Sequence, residues 1–232
     1  MSKSKSSMRA APPTLVLPTY PAPLELRTPR LLLRQWKESD FDAWAEMNAD
    51  ARVRQYFPRP LTTEDARGEF ERISGGIKQR GWGMWAVEVP SVVPFIGFVG
   101  LNPPMFPAPW QPGVEIGWRL AQRAWGKGYA TEAAEASLYF AFEHLQLPAV
   151  LALSVTTNTP SHAVMARIGM QRWHGMEFDH PRVPSDWPLK HHIVHRINAT
   201  DWQSLRTKRE MQAKTPALKG VSKANRLKTP AK

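Results

Sequence analysis

The sequence predicts a single α/β (α+β) domain over residues 24–203, set between a basic, Pro-rich N-terminal tail (1–23) and a basic C-terminal tail (204–232). Three observations carry that expectation. The chain has 232 residues, enough to bury one large core, and 42% of them are hydrophobic, with ten Trp and nine Phe, a composition far from that of a disordered chain. Stretches with apolar residues at helical spacing alternate with short strand-like runs, and no linker or internal repeat divides them. The formal charge of +11 belongs to the ends: the tails hold 12 basic residues and one acid, Glu210, which leaves 19 of each sign in 24–203.

Residues 24–36 contain two alternating segments around Thr28-Pro29 and read as a strand or hairpin. Ser39-Asp40 starts a helix with Phe41, Trp44 and Met47 at three-residue spacing. Thr62-Thr63-Glu64-Asp65 opens a second helix, whose Ala66, Phe70, Ile73 and Ile77 share one face before Gly81 ends it. Three apolar strands follow at 82–89, 92–101 and 114–120, and their short connections predict an antiparallel meander. Next come a helix from Tyr129 to about Leu145 and a near-continuous apolar strand at 149–156, of the kind buried on both faces. A short helix at 158–168 and closing strands at 170–178 and 190–197 complete the domain.

Several function classes fall away on composition. With no cysteine, the chain has no disulfide, thiolate metal site or Cys nucleophile. It has no apolar run long enough for a membrane span, and Thr14-Leu15-Val16-Leu17 is too short for a secretory core. Prolines at 12, 13, 18, 21 and 23 argue against an amphipathic presequence, so a cytoplasmic protein is expected. Both tails read as solvated and disordered. They serve either as solubilising extensions or as loose contacts to RNA, the ribosome or another anion through counterion release. His191, His192 and His195 do not converge on a metal, because alternation along a strand sends His192 to the face opposite the other two. Trp82, Trp85, Trp118, Trp125 and Trp173 read as core or cleft walls.

The most informative segment is Gln122-Arg123-Ala124-Trp125-Gly126-Lys127-Gly128-Tyr129-Ala130, between a predicted strand and a predicted helix. Gly126 and Gly128 can adopt backbone angles closed to other residues, so that successive N–H groups converge on an anion at the helix N-terminus. Arg123 and Lys127 add cationic donors. The Walker loop fails here because Lys127 is followed by Gly128, and the dinucleotide fingerprint fails because Thr131 stands where its third Gly or Ala belongs. Nucleotide hydrolysis and hydride transfer lose their support.

The turn does not stand alone. Leu26-Arg27-Thr28-Pro29-Arg30-Leu31-Leu32-Leu33-Arg34, Val114-Glu115-Ile116-Gly117-Trp118, Arg123-x-x-Gly126-x-Gly128, and Asn158-x-x-Ser161 running to Ile168-Gly169-Met170 occur in this order. Together they resemble the GNAT superfamily of acetyl-CoA-dependent N-acetyltransferases. Within it they are most similar to the Rim-type branch of ribosomal-protein N-acetyltransferases. The resemblance covers about 24–197 and leaves both tails outside it. It implies a mixed, mostly antiparallel central sheet with helices on both faces, in which strand 114–120 parts from the parallel strand 149–156 to form an acyl-CoA cleft.

The resemblance also implies roles. Backbone groups of Trp118, Arg119 and Leu120 would pair with the pantetheine arm of acetyl-CoA, the co-substrate. Amides of Arg123 to Ala130, including Gly126, Lys127, Gly128 and Tyr129, would hold its pyrophosphate. Asn158 would touch its amide chain, and is equally a good N-cap for its own helix. An amine acceptor is mostly protonated at neutral pH and needs a base. Glu115 is the one acid on its strand and fills that role, unless it is a surface carboxylate. A backbone N–H beside the Gly117-Trp118 step would face the developing oxyanion. Ser161 would protonate the leaving thiolate, or merely satisfy its helix end. The expected activity is direct transfer of acetyl to a primary amine. An acyl-CoA sensor without turnover, or a ribosome- or RNA-associated protein acting through its tails, is the alternative. No metal and no membrane partner are expected, and a homodimer stays open.

Overall fold

The structure is a computed structural model that describes residues 17–104 and 106–214. Strands β1 (Leu26–Arg27) and β2 (Leu32–Arg34) form the hairpin around Thr28-Pro29 and lead into α1 (Phe41–Ala49) and α2 (Thr63–Arg80). A capping box starts α2: the Asp65 N–H donates to Thr62 Oγ1 at 3.1 Å while the Asp65 carboxylate accepts from the Thr62 N–H. Gly81, at φ +81°, ends the helix in the left-handed region. The meander follows as β3 (Met84–Val89), β4 (Val93–Asn102) and β5 (Glu115–Leu120), then α3 (Tyr129–Tyr139), β6 (Ala149–Val155) and α4 (Thr159–Arg167). Strands β7 (Gln171–Arg172), β8 (Phe178–Asp179) and β9 (His191–Asn198) and helix α5 (Ala199–Lys214) close the described chain.

The strands form one nine-stranded sheet in the order β1-β2-β3-β4-β5-β6-β9-β7, with β8 also on β9. Each neighbouring pair is antiparallel except β5 and β6. Helices cover both faces. On one, Trp36 of the β2–α1 connection meets Trp44 of α1 edge-on at 5.1 Å and Phe70 of α2 at 5.3 Å, above Phe98 of β4. On the other, Trp85 of β3 packs edge-on against Phe140 at 5.4 Å. Four indole N–H groups of this core are satisfied by main-chain oxygens: Trp36 by Met84, Trp44 by Ala66, Trp82 by Pro18 and Trp85 by Leu24.

Four details depart from expectation. The helix expected to run to about Leu145 changes to a wider π-type turn at Phe140–His144. Phe140, Ala141 and Phe142 are all buried in this turn. The strand expected at 170–178 splits into β7 and β8, because Gly175 takes φ +81° and turns the chain between them. The C-terminal tail does not begin at 204, since α5 continues to Lys214. Leu205 packs against Gly169, and Arg206 and Arg209 pair with Glu143 and Glu135. At the other end residues 17–23 are part of the domain: the Tyr20 N–H donates to Arg80 O at 2.9 Å, and Leu17 and Tyr20 pack on the core. The remaining tail residues, 1–16 and 215–232, lie outside the described part of the chain.

Candidate active site

The parallel pair is joined at one point. Glu115 registers with Leu151, and the Leu151 N–H donates to Val114 O at 2.9 Å. Beyond Glu115 the ladder stops while both strands continue. Because backbone groups alternate in direction along a strand, Val114 facing β6 means that Ile116, Trp118 and Leu120 face the same side, and Leu153 and Val155 look back at them. Leu120 O is taken by the Trp125 indole N–H at 2.7 Å. The N–H and C=O of Trp118 thus border a gap that β6 does not fill. Trp118, Leu120, Leu153 and Asn158 line a cavity of about 2090 Å³.

One end of the cavity is the turn into α3. Gly126 and Gly128 have φ of +72° and +78°. A Cβ on Gly126 would meet no atom within 4 Å, so backbone angle alone requires glycine there. The N–H groups of Gly126, Lys127, Gly128, Tyr129 and Ala130 find no acceptor among the described residues, and the first bond back into the turn is from Glu132 N–H to Gly128 O. No side chain caps α3. Five unpartnered donors at the positive end of a helix form an anion cradle.

The cradle is fixed from a distance. Glu132, in the first turn of α3, accepts from Thr28 Oγ1 at 2.6 Å and from the Arg30 N–H at 3.0 Å, while the Arg30 guanidinium binds its other oxygen and donates to Lys127 O at 2.9 Å. Burial alone would raise the Glu132 pKa, but the hydrogen bonds from Thr28 and Arg30 outweigh it and hold the carboxyl below its ordinary range. This pair, 102 residues apart, is invisible to spacing arguments, although the Thr28-Pro29-Arg30 segment was among the resembling motifs. Of the two cationic donors expected at the turn, Arg123 turns away to Phe95 O at 3.2 Å, and neither it nor Lys127 lines the cavity.

At the other end Glu115 lines the cavity beside Gly117. A Cβ on Gly117 would sit 4.0 Å from Glu115 Oε1 and 3.2 Å from Met84 Cε, so the Met84 thioether reaches over the missing side chain beside the carboxylate. Burial pushes the Glu115 carboxyl up from 4.5 to about 7, a rise partly opposed by Arg182. Across from it His180 and His192 lie 5.0 Å apart by ring centroid. Burial, the His192 ring and Arg182 lower His180 to about 4, and burial also lowers His192, so both are neutral imidazoles at neutral pH. No group of three or more His, Asp or Glu side chains is placed to hold a metal among the described residues. Asn158 acts as N-cap of α4, its Oδ1 accepting from the Ser161 N–H at 3.2 Å, and both residues border the cavity. Arg119 lines it with its side chain directed to Asn48 and Glu69.

A gap between two strands that part after one bridge runs from a turn of unpartnered amides to a raised carboxylate. Comparison with known proteins supplies the family. The family model described as an acetyltransferase (GNAT) domain matches residues 30–171, and the chain belongs to that family. A curated relative, the uncharacterized N-acetyltransferase YnaD of Bacillus subtilis, is 29% identical over 149 residues, 64% of this chain and 84% of its own. The crystal structure of an acetyltransferase from Agrobacterium tumefaciens is 29% identical, covers 81% of this chain and 99% of its own, and superposes with a TM-score of 0.61. RimJ of Mycobacterium smegmatis, solved in complex with CoA-disulfide, shares the fold at a TM-score of 0.62, with 20% identity, over 82% of this chain and 92% of its own. Among the described residues, no helix is long and apolar enough to cross a membrane.

Proposed function

We propose that this acetyltransferase, of Rim type, moves acetyl from acetyl-CoA directly to a primary amine, such as a protein N-terminus or a small-molecule amine. The observation that carries the reading is the five-amide cradle opening into the gap between β5 and β6, which matches a pyrophosphate followed by an extended amide-bearing arm. Acetyl-CoA supplies an activated thioester. In this reading the amides from Gly126 to Ala130 hold the diphosphate, and the C=O of Trp118 and the N–H of Leu120, on the gap side of β5, pair with the arm, while the Arg119 backbone faces β4 and supports that strand from behind. Asn158 contacts the arm while its Oδ1 caps α4.

Glu115, with a pKa near 7, is partly ionised at neutral pH and accepts the proton that the acceptor amine must lose. The Trp118 N–H, on the gap side of β5, stabilises charge developing on the carbonyl oxygen. Ser161, in the first turn of α4 and on the cavity wall, returns a proton to the departing sulfur. No covalent acyl-enzyme is required, since the carboxylate deprotonates the acceptor rather than attacking the thioester.

Calorimetry with CoA, followed by a thiol-release assay across amine classes, tests the reading. Saturable CoA binding with amine-dependent thiol release is the expected outcome. A folded sample that ignores CoA sinks the proposal. CoA binding without turnover on any amine points to a sensor.

A further inference from the structure

The proposed reading leaves the acceptor as any amine, but the cavity wall formed by β5 and the α1–α2 connection is more specific. Arg54, between α1 and α2, and Arg119, on β5, both line the cavity, with side chains only 7% and 9% exposed. Their guanidinium groups flank one ring, Phe57, at 4.3 and 4.4 Å from its centroid. A single carboxylate, Glu69, faces three cations: Arg119 at 3.2 Å, Arg72 at 3.5 Å and Arg54 at 4.0 Å. The other nearby acids are already engaged, Asp65 with Arg59 and Asp50 with Arg52. The cluster therefore carries more positive charge than its own carboxylates cancel.

Hydrogen-bonding capacity is also left over. Arg54 donates through Nε to Arg59 O, and Arg119 through Nη1 to Asn48 and Glu69. The Nη2 groups of both arginines make no hydrogen bond among the described residues, and Arg119 Nε is fully buried without a partner. Burial and the like charge of Arg119 hold the Arg54 guanidinium down at about 10. Two buried guanidiniums, close together and short of anions, are costly unless a ligand completes them. Their geometry suits the two oxygens of a carboxylate or phosphate.

Alternation ties this cluster to the reacting end. Glu115, Gly117 and Arg119 lie on one face of β5, and over Gly117 lies the flexible Met84 thioether rather than a side chain of its own. Four residues of strand put their Cα atoms about 13 Å apart. We infer that the acceptor carries, besides its amine, an anionic group, a carboxylate or a phosphate, that seats against Arg54 and Arg119 while the amine reaches Glu115. The inference rests on the N-acetyltransferase reading for its geometry, and on the unmatched arginine pair for its chemistry.

The test compares three amines of one length: aminooctanoate, its uncharged amide, and an aminoalkyl phosphate. Thiol-release rates with acetyl-CoA are paired with calorimetric titrations into the full chain saturated with CoA. The expected result is that at least one anion exceeds the amide by about tenfold in kcat/KM and in affinity, the scale of one charge-assisted hydrogen bond. The preferred anion identifies carboxylate or phosphate. In Arg54→Gln the ratio should fall close to one, and Arg54→Lys should restore part of it. Equal rates and affinities for all three amines overturn the anionic subsite while leaving the acetyltransferase intact. A preference that vanishes when CoA saturates the protein also overturns it, because the anion was then occupying the cradle. If no amine turns over but the anion still binds tenfold better in wild type than in Arg54→Gln, the subsite stands and the acetyltransferase reading is what fails.

Discussion

Replacing Glu115 by Gln separates a catalytic carboxylate from a surface one, because two independent readouts follow from one perturbed pKa. In the folded protein Glu115 binds its proton up to about 7, whereas its ordinary value is 4.5. The unfolded chain releases that proton first, so stability falls as pH rises from the ordinary value toward the folded one. The full difference corresponds to about 3 kcal/mol, and partial solvent access at the cleft reduces it to about 1–2 kcal/mol. Glu115→Gln removes the penalty. The variant should match wild type in denaturant unfolding at about pH 5 and exceed it by that amount at about pH 9. Activity should move oppositely: wild-type kcat/KM climbs through neutral pH as the carboxylate ionises, while the variant loses about a hundredfold or more and lacks that inflection. The acceptor's own ionisation remains in both profiles, and their ratio isolates Glu115. A variant with wild-type rates and an unchanged inflection would refute the assignment of the base, whatever its stability.

Three further outcomes follow from the same geometry. Gly126→Ala meets no steric obstacle, yet forces an alanine to φ +72° at a cost of about 1–2 kcal/mol, so CoA affinity measured by calorimetry should fall about tenfold; unchanged affinity would contradict the cradle. Glu132→Gln removes the charge that ties Thr28 and Arg30 to the cradle. It should raise KM for acetyl-CoA more than it lowers kcat and cost about 1–2 kcal/mol of stability. Since the Glu132 pKa is depressed, that contribution is present above the ordinary carboxylate range and should disappear on acidification through the lower folded value. Arg34→Met breaks the buried pair in which Arg34 meets Asp40 at 2.8 Å; with Asp40 left uncompensated, denaturant unfolding should show a loss of about 3–5 kcal/mol.

What could be read from the chain was whatever local chemistry dictates. The capping box at Thr62, the left-handed Gly81 and the helical spacing of Phe70, Ile73 and Ile77 each act within a few residues, and α2 appears where they place it. The glycines of the turn were likewise legible, because a positive φ is a demand on single residues. Helix α5 was missed because its core anchors are sparse, chiefly Trp202 against Phe142 and Leu205 over Gly169, within a basic, polar run. Its one local signal was Asn198, whose Oδ1 caps the helix by accepting from the Asp201 N–H. The split of 170–178 was signalled by Gly175, which the apolar pattern around it concealed.

Of the candidate site, the sequence and its family resemblance singled out Glu115, Trp118 and the glycine turn, all on or just after one strand, and the structure places them along one cavity. The sequence did not reach Glu132 with Arg30, or Arg54 with Arg119 and Glu69. Those groups meet only once the β1–β2 turn lies over α3 and the α1–α2 connection folds over β5. The side-chain direction of Arg123 was equally out of reach. Its position beside the turn suggested an anion ligand, whereas the folded chain gives it Phe95 O as acceptor.

Amide NMR during a CoA titration addresses the central claim most directly, because it reads the individual N–H groups assigned to the diphosphate. The resonances of Gly126, Lys127, Gly128, Tyr129 and Ala130 should shift strongly and together with that of Trp118, and pantetheine, which lacks the diphosphate, should move Trp118 without the turn. A folded protein that binds CoA while those five amides stay in place would contradict the account.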